Sequence, residues 1–67
     1  MRVGLKIERL NGETWRDAAA RYGRMHGLEA EVLAAFDYDV SVGTQEPDAA
    51  YSACYEWDVC DVWRGED

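Results

Sequence analysis

The chain has one histidine, one proline, two cysteines and no uninterrupted apolar run longer than Val32-Leu33-Ala34-Ala35-Phe36. Each scarcity closes a class of function. A Ser, Cys or Thr nucleophile needs a positioned base, and the lone imidazole, His26, stands beside Gly27, where a helix-ending role favoured by the dipole is the simpler account. No CxxC or HxxxH spacing gathers His26, Cys54 and Cys60 into a zinc site. If Cys54 and Cys60 share a helix, their six-residue separation rises about 9 Å, beyond disulfide reach, so both are read as free thiols of a reducing cytosol. Asp37, Asp39, Glu46 and Asp48 offer hard oxygen ligands but not the spacing, central glycine and closing glutamate of an EF-hand. No carboxylate pair is marked as having a raised pKa. The reading is a non-enzymatic protein with no cofactor and no metal.

A membrane span needs roughly 20 apolar residues, and residues 1–10 are interrupted by Lys6, Glu8 and Arg9, so they lack the apolar stretch of a secretory signal. The expected location is the cytoplasm. Cations are scarce as well: seven Lys and Arg against fourteen Asp and Glu give a net charge of −7. That balance disfavours direct binding to nucleic acid or to an anionic membrane and favours a basic partner. Disorder is excluded by a 48% hydrophobic content that includes three Trp, four Tyr and one Phe. With 67 residues the chain makes one domain, and a domain of this size buries only about 60% of its unfolded surface, leaving little for an enclosed pocket.

Val3, Leu5 and Ile7 alternate with Gly4, Lys6 and Glu8, which predicts a short strand within residues 1–10. Its best candidate partner is residues 59–63. Asn11-Gly12 marks a turn. Thr14 and Asp17 have capping-box spacing, and the helix they open, residues 14–26, places Trp15, Ala18, Ala19 and Tyr22 on one face and ends near Gly27. A second helix, residues 28–42, gathers Val32, Leu33, Phe36 and Val40 on one side and stops at Gly43. A third, residues 47–59, starts on Pro47; Ala50, Ala53, Cys54 and Trp57 form its apolar face, with Tyr51 and Tyr55 beside them. Residues 64–67 read as a frayed tail. The expected fold is mainly α, with α+β as the variant: a compact three-helix domain carrying a short N-terminal β-strand.

Charge is laid out unevenly. Residues 1–27 hold six basic and three acidic side chains, net +3, whereas residues 28–67 hold one basic and eleven acidic, net −10. Acids stabilise helix N-termini and destabilise C-termini, yet Asp37 and Asp39 fall in the final turns of the second helix, and Glu56, Asp58 and Asp61 at the end of the third. Local rules broken without a folding gain point to functional surfaces, so these five are the candidate partner-binding residues, with Tyr38 and Tyr55 as interleaved anchors. The competing reading is that the acids solubilise the domain or pair with Arg16, Arg21 and Arg24. Carboxylates three or four positions apart on a helix lie about 5–6 Å from one another, close enough to nucleotide spacing to imitate a row of phosphates. Trp57 and Phe36 are expected in the core; Tyr38 and Tyr55 suit core or surface alike.

The stretch NGETWRDAAARYGRMHGLEAEVLAAFDYDV, followed by EPDAAYSACYEWDV, resembles small acidic proteins encoded by bacteriophages and prophages. The similarity lies in the Asn-Gly turn into a Thr-Trp helix start, the HGLEAEVL opening of the second helix and the Tyr-Glu-Trp-Asp end of the third. Such proteins include anti-CRISPR inhibitors, several of which bind DNA-recognising subunits of type I complexes. The resemblance implies a non-enzymatic inhibitor acting in the bacterial host cytoplasm, a DNA mimic whose acidic surface occupies a basic nucleic-acid-binding groove of a type I CRISPR effector subunit. The alternative is a small phage regulatory or structural module that associates through its aromatic surface. The expected oligomeric state is a monomer or weak dimer.

Overall fold

The computed structural model describes the backbone of residues 2–65 and the side chains of residues 4–61. Five elements follow in order: β1 (Arg2–Lys6), α1 (Trp15–Met25), α2 (Glu29–Ser41), α3 (Glu46–Glu56) and β2 (Asp61–Gly65). The expected three-helix domain with a short N-terminal strand is the fold observed, each helix packing on the other two. β1 pairs antiparallel with β2, Arg2 opposite Gly65 and Lys6 opposite Asp61. Arg64 and Gly65 therefore belong to a strand, which corrects the frayed-tail reading; Glu66 and Asp67 lie outside the described residues. Among the described residues no helix is long and apolar enough to cross a membrane.

Local chemistry explains the helix boundaries. Thr14 Oγ1 accepts a hydrogen bond from the Asp17 amide at 3.1 Å, while an Asp17 carboxylate oxygen accepts from the Thr14 amide at 3.4 Å, so two otherwise unpaired donors are satisfied reciprocally. α3 opens with Pro47 in its first turn beside Glu46 and Asp48, all suited to the positive end of the dipole. All three helices close with the same pair of backbone bonds, the Schellman pattern. After α1, the amides of Gly27 and Leu28 reach the carbonyls of Arg24 and Gly23; after α2, those of Gly43 and Thr44 reach Val40 and Asp39; after α3, those of Asp58 and Val59 reach Tyr55 and Cys54. The pattern needs a left-handed residue. Gly27 (φ 71°) and Gly43 (φ 101°) supply it at two ends, and Asp58 (φ 56°) at the third.

Asp58 is why α3 stops at Glu56 and not at residue 59. Cys60 consequently lies off the helix, which removes the shared-helix premise for the two cysteines; both are nonetheless free thiols.

The core is Ala19, Tyr22, Val32, Phe36, Ala49, Ala50, Ala53, Cys54 and Val59. Four alanines in nine let the helices approach closely. At the α1–α2 crossing a Cβ on Gly23 would stand 2.9 Å from the Glu29 Cα and 3.1 Å from the Leu28 carbonyl oxygen, so only glycine fits. The Tyr22 hydroxyl ties the helices to the sheet: it accepts from the Glu8 amide at 2.9 Å and donates to the Asp61 carboxylate at 2.8 Å.

Candidate functional site

Acids two positions apart on a helix are about 200° apart around its axis, so the four acids of α2 divide into two edges. Glu29 and Asp37 face α1. Arg24 holds Glu29 at 2.8 Å, and Arg16 grips Asp37 with both arms of its guanidinium, at 3.0 and 2.9 Å. Those hydrogen bonds, helped by the positive charge, hold the Asp37 carboxyl below its ordinary value. The third cation of α1, Arg21, turns instead to Glu13, at 3.0 and 3.2 Å, and lowers that carboxyl too. With Lys6 on Glu8, four cations are accounted for, and none of them reaches the far edge of α2.

That far edge carries Glu31, Ala34, Ala35, Tyr38 and Asp39, positions i, i+3, i+4, i+7 and i+8 of one helical stripe. Glu56 and Trp57, from the end of α3, stand across from it. Together they line a groove of about 430 Å³. Two alanines make it deep enough to be concave, two aromatic rings flank it, and three carboxylates border it. Among the described residues no cation pairs with Glu31, Asp39 or Glu56.

The seven residues singled out from sequence are thus separated into distinct settings. Asp39, Glu56 and Tyr38 converge on the groove, and Tyr38 is 66% exposed. Asp58 follows directly on Trp57, exposed, in its left-handed turn. Asp37 sits on the opposite edge of α2, engaged by Arg16. Asp61 opens β2 and accepts a hydrogen bond from the Tyr22 hydroxyl, so Asp58 and Asp61 are both beyond the end of α3 and not on it. Tyr55, 60% exposed, stacks on Tyr51 with ring centres 6.3 Å apart and planes 15° apart. Tyr51 is anchored by a 3.1 Å hydrogen bond to the Leu5 carbonyl.

Sequence reasoning passed over Glu31, Ala34 and Ala35 and placed Trp57 inside. Phe36 is buried as expected, but Trp57 is 39% exposed, and Val40 also stands partly in solvent. The missed signal was the stripe itself. Two alanines between acids at helical spacing, with a tyrosine on the same line, describe a shallow concavity and not a packing face.

The remaining chemistry is subdued. Burial, with a smaller contribution from Cys60, pushes the Cys54 thiol up to about 12, so it is protonated near neutral pH and is no nucleophile. Among the described residues no three His, Cys, Asp or Glu side chains are grouped to hold a metal ion. The groove offers fixed negative charge beside aromatic faces, an arrangement that attracts and holds cations. No family model, no curated protein and no solved structure matches the chain.

Proposed function

We propose that this protein is a non-enzymatic inhibitor that covers a basic, nucleic-acid-binding surface on a protein partner. The observation that carries the reading is the uneven neutralisation of α2: Arg24 and Arg16 of α1 are committed to Glu29 and Asp37 and Arg21 to Glu13, while Glu31 and Asp39, joined by Glu56 and Asp58, meet no cation among the described residues. Glu31 and Asp39 are about 12 Å apart along the helix, a span comparable to a few phosphates of a nucleic-acid strand. A partner that grips DNA with Lys and Arg would meet the same sign and a similar spacing of charge here, with Tyr38 and Trp57 supplying contact area that charge alone does not. The resemblance to small acidic phage proteins directs the choice of partner to a DNA-recognising subunit of a type I CRISPR effector, encountered in the bacterial cytoplasm.

The test is capture of such a purified subunit across a salt series. Affinity should fall steeply with salt. The combined Asp39→Asn, Glu56→Gln and Asp58→Asn variant should lose capture, while Asp37→Asn, whose charge is already balanced by Arg16, should change it least. Capture indifferent to both salt and the triple variant refutes blocking by charge.

The exposed Tyr51–Tyr55 stack supports a second reading, a regulatory or structural module that binds through aromatic surface. Its partner would bind with little salt dependence, tolerate the triple variant and be lost on Tyr55→Ala.

A further inference from the structure

We propose that the groove between α2 and the end of α3 is a socket for a single arginine side chain of the partner; this rests on the blocking reading above and specifies its anchor. The lining selects the occupant in steps. Glu31, Asp39 and Glu56 border the groove with no cation of this chain beside them among the described residues, which excludes anionic ligands and demands a positive one. The rest of the lining, however, is largely apolar: Ala34 and Ala35 contribute methyl groups, and Tyr38 and Trp57 contribute rings. A bare metal ion or a small hydrated cation has no use for that surface. A cation attached to an aliphatic stem has.

Between the two cationic side chains, the geometry favours arginine. Its guanidinium is planar, more weakly hydrated than an ammonium, stacks on aromatic faces and forks onto carboxylates with several donors at once. Lysine carries a compact, strongly hydrated point charge that loses more water on entering an aromatic-walled groove. At about 430 Å³ the space is at the small end of ligand sites, ample for one side chain with bound water and too small for a helix or a folded loop. The same chain already makes two contacts of this kind internally: the Arg9 guanidinium lies 5.0 Å from the Trp15 ring centre and that of Arg21 4.8 Å from the Tyr22 ring centre.

The test uses the full chain, titrated with N-acetyl-arginine amide and, separately, N-acetyl-lysine amide, followed by backbone-amide and Trp-indole NMR shifts. Saturable shifts should cluster at residues 31–39 and 56–57, with arginine bound tighter than lysine by up to about 2- to 5-fold, since a whole cation–π contact at an exposed site, which lysine also makes in part, sets the ceiling on the difference. Trp57→Leu should abolish that ratio, and Tyr55→Leu, outside the groove, should leave it unchanged. Should Trp57→Leu fail to fold, the Glu31→Gln, Glu56→Gln pair removes charge without touching the core and should weaken both probes together. Equal binding of the two amides, or shifts spread evenly over the acidic surface, overturns the socket. If arginine amide binds as expected but no effector subunit is captured, the socket stands and the blocking reading falls. If the subunit is captured in a salt-dependent way while the amides bind equally, the socket falls and the blocking reading stands.

Discussion

The end of α3 offers a test in which stability and binding should move in opposite directions. Three helices close with identical backbone bonds, and only the third puts a side chain, that of Asp58, on the left-handed residue. For an ordinary L-residue that conformation costs roughly 1–2 kcal/mol, less for aspartate, whose short polar side chain tolerates it. The carboxylate also faces the negative end of the α3 dipole, an unfavourable contact of about 0.3–1 kcal/mol before screening at an exposed position. Glycine removes both penalties but gains freedom in the unfolded chain, which returns about 0.5–1 kcal/mol. The net expectation for Asp58→Gly is stabilisation of about 1 kcal/mol. In urea that moves the midpoint by about 0.5–1 M, and in a thermal melt it raises Tm by about 4–8 °C. Asp58→Asn keeps the tolerance for the left-handed turn and removes only the charge, so it should fall between the two. Circular dichroism on the three proteins measures the order. Asp58→Gly should nevertheless bind a basic partner more weakly than the parent. A glycine variant less stable than the parent by the full entropic difference of about 0.5–1 kcal/mol would show that Asp58 is unstrained, and the inference from a broken rule to a functional surface would fail with it.

Two further perturbations probe the scaffold that holds the groove in place. Gly23→Ala should cost about 1–3 kcal/mol, because the new Cβ meets backbone atoms of Leu28 and Glu29 that cannot yield as a side-chain end would; an unchanged melting temperature would mean the α1–α2 crossing is looser than described. Burial, followed by the hydrogen bond to Asp61, raises the Tyr22 pKa above its usual 10.0, so the neutral phenol is the folded form's choice. Its contribution to stability is complete below about pH 10 and is lost as pH rises through the folded value. Tyr22→Phe should lower stability at neutral pH by about 1–3 kcal/mol, through two lost hydrogen bonds, and should flatten the alkaline limb of the pH–stability curve. A variant curve parallel to the parent's would refute the assignment.

The helices were legible where single residues carry the signal. Thr14 with Asp17 fixed the start of α1, Pro47 the start of α3 to within a residue, and the glycines at 27 and 43 the ends of α1 and α2. The end of α3 was not legible, since an aspartate in the left-handed turn looks like any other helical acid until backbone angles are known. That one misplacement put Asp58 on a helix it does not occupy and set Asp61 just past an end that lies three residues too far along. The acidic surface was legible as a surplus but not as a shape. Whether Arg16 reaches Asp37 or Asp39 depends on how α1 crosses α2, and that crossing is set by the contact of Gly23 with Glu29, which no spacing rule encodes.

The pairing of the first strand with the last has a consequence for the order of assembly. Lys6 and Asp61, partners in the ladder, are 55 positions apart, so their approach requires closure of nearly the whole polypeptide, an entropic cost that the intervening sequence must first offset by collapsing. Loop-closure entropy therefore favours an order in which the bundle collapses first and the ribbon closes as its clasp afterwards.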